Sequence, residues 1–144
     1  MKPTVEKITD KKSLTEAFKI RQLVFVIEQV VDPEAEYDEF EEESTHFLGR
    51  LNEKPVGTAR WRFTKNGVKL ERFAVLAEAR CKGVGQALVA AVLEDVKATP
   101  ESADKSIYLH SQLAAISLYA KFGFQKVGDL FEECNMQHYK MELA

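Results

Sequence analysis

The segment ERFAVLAEARCKGVGQALVAAVLEDV, Glu71 to Val96, constrains this chain more than any other stretch. It reads as an apolar strand, a loop carrying Gly83 and Gly85, and then a helix. Glycine lets the backbone approach a ligand closely and turn successive N–H groups inward. The first turn of a helix adds unpaired donors and the positive end of the helix dipole. Arg80 and Lys82 place full positive charge beside them. A phosphate or pyrophosphate is the natural guest of such a junction. Two common nucleotide motifs do not fit it. A P-loop requires G-x-x-x-x-G-K-[ST], and no Lys-Ser or Lys-Thr follows Gly85. A dinucleotide fingerprint requires a third glycine where Leu88 stands, and it opens a βαβ unit instead of following a hairpin strand.

The rest of the chain surrounds this junction with short elements. Thr4 to Ile8 alternates like a half-buried strand. Asp10 or Ser13 can cap the next helix, and Ser13 to Glu16 fits a capping box. Leu14, Ala17, Phe18, Arg21, Val24 and Phe25 then repeat at helical spacing, and Pro33 stops the pattern near Glu28 to Val31. Asp32 to Glu43 holds eight carboxylates in twelve residues, read either as a solvated loop or as a cation-facing rim over a cleft. Thr45 to Leu51, Val56 to Thr64 and Val68 to Val75 form an antiparallel meander, with a tight turn at Lys65 to Gly67. Downstream come a strand from Ser106 to His110, a helix from Leu113 to Lys121, and strands from Phe124 to Phe131 and Gln137 to Leu143. This order gives a mixed sheet with helices packed on it, of α+β or α/β class.

The 144 residues fit one domain, 1–144, with no internal repeat or linker. A net charge of −3 gives no basic field for nucleic acid or an acidic membrane. No apolar run approaches the roughly 20 residues of a membrane span, and the N-terminus lacks a secretory pattern. Cys81 and Cys134 do not make a disulfide framework. A cytoplasmic protein with two free thiols is expected. The three histidines, His46, His110 and His138, are scattered without zinc-ligand spacing, so no metal is expected, and His110, at a strand end near Gln112, reads either as a cleft-lining residue or as a satisfied structural histidine.

Arg80, Gly83 and Gly85 make R-x-x-G-x-G directly after the strand RFAV. About 30 residues on, LAAISLYAKFGF carries A-x-x-L-Y-x-K-x-G-F in Ala115, Leu118, Tyr119, Lys121, Gly123 and Phe124. These two segments resemble the cofactor-binding segments of the GCN5-related N-acetyltransferases. IRQLVFVIEQ and FEECNMQHYKM further resemble a small bacterial subgroup, the ElaA- and YjcF-like members. The resemblance runs over nearly the whole chain. It implies a single domain of that type, with a mostly antiparallel twisted sheet splayed at the cofactor strand and helices on both faces.

The resemblance also implies an activity. Backbone groups of Phe73, Ala74 and Val75 would bond the pantetheine arm of acetyl-CoA. Backbone N–H groups of Arg80, Cys81, Lys82, Gly83, Val84, Gly85 and Gln86 would hold its pyrophosphate. Gln112 stands where many members place an asparagine that touches the cofactor. Tyr119 falls at the position of a general acid for the departing thiolate, or else packs in the core. Glu71, on the strand face assigned to Phe73, is either the base for the acceptor amine or an ion-pair partner of Arg60 or Arg62. In several members the strand glutamate sits two places earlier, at Lys69. Glu28, Arg60 and Arg62 would border the acceptor. The reaction implied is direct transfer of an acetyl group to a small-molecule or protein amine in a ternary complex. Homodimers are frequent in that family, which makes a homodimer a candidate assembly. Two rivals stand beside this reading: a non-catalytic acyl-CoA-binding module, and an interaction protein that docks a basic partner through residues 32–43.

Overall fold

The computed structural model describes residues 2–144. Seven strands form one sheet: β1 (Thr4–Lys7), β2 (Thr45–Leu51), β3 (Lys54–Thr64), β4 (Gly67–Val75), β5 (Ile107–Gln112), β6 (Phe124–Glu133) and β7 (Met136–Leu143). Their spatial order is β1-β2-β3-β4-β5-β7-β6. Every neighbouring pair is antiparallel except β4 with β5. One face carries α1 (Lys11–Arg21) and the short α2 (Pro33–Glu36), and the other carries α3 (Val84–Ala98) and α4 (Ile116–Ala120). The α+β class, the splayed sheet and the helices on both faces stand as the sequence led us to expect. No helix among the described residues is long and apolar enough to cross a membrane.

Helix α1 begins where the Asp10 carboxylate accepts the Ser13 N–H at 3.0 Å, so Asp10 is the cap and the Ser13–Glu16 box goes unused. After Arg21 the helix widens into a π-helical stretch, Gln22–Glu28, closed by the Gln29 N–H donating to the Val24 carbonyl at 3.0 Å. Longer hydrogen-bonded rings take more than 3.6 residues per turn, so the apolar repeat drifts across the helix surface. Val24 stays buried while Leu23, Ile27 and Val30 turn outward. Pro33 does not simply end this region. It occupies the first position of α2, where its missing N–H costs nothing, and Asp32 caps that helix through the Glu34 N–H at 2.9 Å.

Helix α3 buries Val84, Leu88, Val89, Val92 and Val96 against β2 and β3. It lies close because Gly49 and Gly57 present no side chain. A Cβ on Gly57 would stand 2.9 Å from Val84 Cγ1. Downstream, the helix expected over Leu113 to Lys121 is a 3₁₀ turn, Leu113–Ala115, followed by the five-residue α4.

Two irregularities of β4 shape the site. Its pairing with β5 covers only Val68–Ile107, Lys69–Tyr108 and Leu70–Leu109, after which the strands part. On its other side β4 stays with β3 to Val75, but the register slips between Thr58–Ala74 and Arg60–Glu71. Arg72 is the added residue, held at φ +58. This is a β-bulge, and it resets the alternation of side chains beyond it. Glu71 pairs with Arg60 toward α1, whereas the Phe73 ring meets Tyr119 of α4 at 5.6 Å. Glu71 and Phe73 therefore lie on opposite faces, contrary to the simple two-residue alternation expected from the sequence.

Candidate functional site

At the foot of α3 the chain turns twice through left-handed geometry, at Cys81 (φ +63) and at Gly83 (φ +84). Gly83 is the residue before the first helical turn, and no side chain caps that end. The first hydrogen bond into the helix runs from the Ala87 N–H to the Gly83 carbonyl at 3.0 Å. Among the described residues, the N–H groups of Cys81, Lys82, Gly83, Val84, Gly85 and Gln86 find no acceptor within the protein. Successive unpaired amides beside a helix N-terminus form a concave donor surface for an anion. Cys81 is an exposed free thiol within it, as Cys134 is elsewhere. The Arg80 N–H, expected in this run, is instead donated to the Ala77 carbonyl at 3.3 Å as the 3₁₀ turn of residues 77–79 closes. Its guanidinium is also partnered, both terminal nitrogens reaching Glu28 at 2.7 Å and Nε reaching the Val75 carbonyl at 3.0 Å. Exposed Lys82 is left as the loop's available cation.

The parting of β4 and β5 opens a cleft through the sheet. Phe73, Tyr119, Gln112 and His110 line it, together with Gln29, Lys69, Glu71, Arg72, Glu133 and His138. Beyond Leu70, β4 has no strand on its β5 side, so the backbone of Phe73, Ala74 and Val75 borders the gap. The Gln112 side-chain amide donates to Gln29 Oε1 at 3.0 Å, tying β5 to the end of the π-helical stretch across the cleft. Gln112 thus lines the gap while bound to a protein partner.

Tyr119 is the aromatic end of this passage. Its ring packs edge-on against Phe73 and Phe124 and is only 6% exposed. Burial pushes its phenol well above the ordinary value. No buried side-chain oxygen among the described residues lacks a partner, and the Tyr119 hydroxyl bonds to none, so it touches the open cleft. The ring packs as the core reading expects, and the hydroxyl faces the cleft.

The acceptor border expected at Glu28, Arg60 and Arg62 is corrected by the structure. None of the three lines the cleft. Glu28 lies outside and binds Arg80. Arg60 is fully buried; it donates through Nε to Glu71 at 2.8 Å and through its two terminal nitrogens to Asp38 at 3.0 and 2.8 Å. Arg62 donates to Glu71 at 2.7 Å and stacks 3.8 Å above the Phe40 ring. The acidic segment is the reason. Glu36, Asp38 and Glu41 turn inward to Arg21, Arg60 and Arg72 and build a buried charge network, a third outcome beyond a solvated loop or a substrate rim.

Glu71 is part of this network. Burial alone would raise its carboxyl, but Arg60, Arg62 and Lys69 hold it below the ordinary value. A carboxylate so engaged takes up a proton poorly, and the ion-pair reading of Glu71 is the one the geometry favours. Three contributors to the cleft escaped notice in the sequence: Gln29, Arg72 and Glu133. Glu133 pairs with His110 at 3.2 Å, joining β5 to the end of β6, and His138 of β7 lies 3.8 Å from the same carboxylate.

Comparison with known proteins gives concordant results. Residues 10–144 match the family model described as acetyltransferase (GNAT) domain. The chain is 36% identical over 142 residues to a Bacillus subtilis protein, the uncharacterized N-acetyltransferase YjcF, covering 98% of both chains. The crystal structure of Escherichia coli ElaA superposes with a TM-score of 0.86 at 26% identity, covering 99% of this chain and 100% of that one. At 20% identity, a Bacillus subtilis acetyltransferase solved in complex with CoA shares the fold, with a TM-score of 0.70 over 99% of this chain and 98% of that one.

Proposed function

The chain belongs to the GNAT acetyltransferase family, and from that premise we propose that it transfers an acetyl group from acetyl-CoA to an amine, bound together with it in one ternary complex. The observation that carries this reading is the run of unpaired amides from Cys81 to Gln86, held between the end of β4, where Arg80 Nε reaches the Val75 carbonyl, and α4, where Gly85 adjoins Leu118. Such a cradle fits a pyrophosphate, and the gap beside it fits a narrow arm running into the sheet. That a protein of the same fold was solved with CoA accords with this.

Acetyl-CoA would supply an activated thioester, so the chain's own residues need only bind, orient and move protons. The amides of residues 81–86 would hold the pyrophosphate, with Lys82 adding charge. The bulge at Arg72 turns the β4 backbone so that Phe73 and its neighbours face the gap. Donors there would stabilise negative charge developing on the carbonyl oxygen. The Tyr119 hydroxyl, open to the cleft, would donate to the departing sulfur.

A non-catalytic acyl-CoA-binding module would share the cradle but have no use for a phenol hydroxyl open to the cleft. Docking of a basic protein through residues 32–43 is disfavoured because Glu36, Asp38 and Glu41 are spent on internal arginines.

The test is calorimetric titration of acetyl-CoA into the wild-type protein and into Gly83→Asp. At Gly83 a new Cβ meets nothing nearer than Pro3 Cγ at 3.9 Å, and aspartate tolerates left-handed geometry better than most residues. The variant should fold, yet it sets a carboxylate among amides meant for phosphate. Like-charge contact costs several kcal/mol, so affinity should fall on the order of 10²-fold. Equal affinity in both proteins, or no acetyl-CoA binding by the wild type, would reject this reading.

A further inference from the structure

The acyltransferase reading leaves the acceptor without a base, because the strand carboxylate Glu71 is neutralised. Alkyl amines reach a protein as ammonium ions, and an ammonium nitrogen has no lone pair with which to attack a carbonyl. Some group near the thioester must first take a proton.

The last paired position of β4 and β5 is Leu70–Leu109. Glu71 and His110 are therefore the first residues past the fork, one on each strand. Glu71 receives Arg60, Arg62 and Lys69. Among the described residues, His110 receives one close polar partner, Glu133 Oε1, at 3.2 Å from its Nδ1. The hydrogen bond from His110 is the main reason the Glu133 carboxyl lies at about 2, so Glu133 is ionised at neutral pH. An ionised carboxylate can only accept, which places the shared proton on Nδ1 of the imidazole. In the neutral ring Nε2 then keeps its lone pair, the arrangement by which a carboxylate orients a histidine base. The ring itself is fixed by an edge contact with Phe131 at 5.1 Å and by Tyr108 at 5.9 Å.

Resting on the acyltransferase reading, we propose that His110, oriented by Glu133, is the base that takes the acceptor's proton. Its side of the sheet agrees with this. Gln112, on the same face of β5, reaches Gln29 on the α1 side, whereas Tyr119 reaches Phe73 from the α4 side. Base and acid thus stand on opposite faces of the fork, with the thioester's place between them. The ammonium yields one proton to His110 Nε2. The freed lone pair forms the C–N bond as the thioester C–S bond breaks, and the electrons of that bond leave on sulfur. Sulfur receives a proton through Tyr119, which the amine nitrogen's second surplus proton replenishes, and His110 releases its own proton to solvent. The charged and titratable groups facing His110 are Lys69, Glu71 and Arg72 from β4, Tyr108 from its own strand, Glu133 from β6, and His138 and Lys140 from β7. His138 is not an equivalent base, because its Nε2 faces Glu133 Oε2 at 3.8 Å and the residue is only 5% exposed. Among the described residues, no group of three His, Cys, Asp or Glu side chains converges to hold an ion.

The test compares benzylamine, an ammonium ion at neutral pH, with aniline, which is already neutral there. In His110→Gln, kcat/KM for benzylamine should fall about a hundredfold, the low end of what a positioned base contributes, while aniline should change less than about threefold. Glu133→Gln should show the same bias in smaller measure. A purely structural histidine would depress both amines alike, and that result overturns the proposal, as would no effect on either. If neither probe amine is turned over, nitrogen NMR of the His110 ring in the acetyl-CoA complex decides. A proton on Nδ1 with Nε2 bare supports the assignment, and a proton on Nε2 overturns it. Acetyl-CoA calorimetry on His110→Gln separates the two levels: unchanged binding with lost benzylamine turnover concerns the base alone, whereas no binding by the wild type removes the acyltransferase reading itself.

Discussion

Arg60→Ala is expected to lower the unfolding free energy by about 3–5 kcal/mol, the range seen when one partner of a buried charge network is removed. The guanidinium is wholly buried and holds three carboxylates, Asp38, Glu41 and Glu71. Its loss strands negative charges in a poorly solvated space and leaves a cavity of a long side chain. For a domain of 144 residues such a cost shifts the melting midpoint by about 10 °C or more. Glu6→Ala supplies the contrast. Glu6 pairs with Arg50 at 3.1 Å on the surface, where an ion pair contributes under about 1 kcal/mol. Urea titration of both variants checks the prediction, and near-equal losses would mean that burial of the network is not what gives it strength.

The same network predicts an acid limit to stability. Burial works to raise the Asp38 carboxyl, but hydrogen bonds and charge from Arg60 bring it to about 2, and Glu41 and Glu71 are held low by neighbouring arginines. Carboxylates with depressed folded values stabilise fully above their unfolded values near 3.8 and 4.5, and lose that contribution as pH falls through the folded ones. Glu36 acts in the opposite sense, since burial raises it and its contribution is present only at lower pH. Three groups against one give a melting temperature that declines between roughly pH 4.5 and 2. In Arg60→Ala the decline should be shallower, because Asp38 loses its main depressing partner. An equally steep decline in the variant would show that other cations hold these carboxylates.

The network also marks the limit of what the sequence discloses. Strands β2 to β4 and the Gly83–Gly85 junction were legible because their signals are local: alternation, an Asn-Gly turn, and glycines before a helical stripe. The acidic segment was not, because its meaning lies in Arg21, Arg60 and Arg72, brought to it by the sheet from 15 to 36 residues away. The bulge at Arg72 escaped for a related reason. Nothing in LERFAV departs from a regular strand, and an arginine at φ +58 persists only because Glu36 and Asp38 grip its side chain. One slipped residue there reversed the face assigned to Glu71 relative to Phe73 and shifted the search for a base from β4 to β5. His110 was visible as a strand-end histidine, but its partner Glu133 lies 23 residues further on and in another strand.

Tyr119→Phe is expected to reduce turnover by about 10²- to 10³-fold while leaving acetyl-CoA affinity and stability almost unchanged. Among the described residues the hydroxyl makes no hydrogen bond, so its removal orphans no buried partner, and the ring contacts with Phe73 and Phe124 remain. Burial has raised the phenol well above a thiol's ordinary value of about 8.5, so complete transfer to a free thiolate would run uphill. The hydroxyl therefore acts while the C–S bond is breaking, donating a hydrogen bond that strengthens as charge grows on sulfur. That role makes its effect fall on kcat and not on acetyl-CoA binding. It should also shrink when the thioester is replaced by one whose thiol is a better leaving group, since less charge then needs a donor. Equal loss with poor and good leaving groups would return Tyr119 to the core as a packing residue and leave the sulfur to solvent.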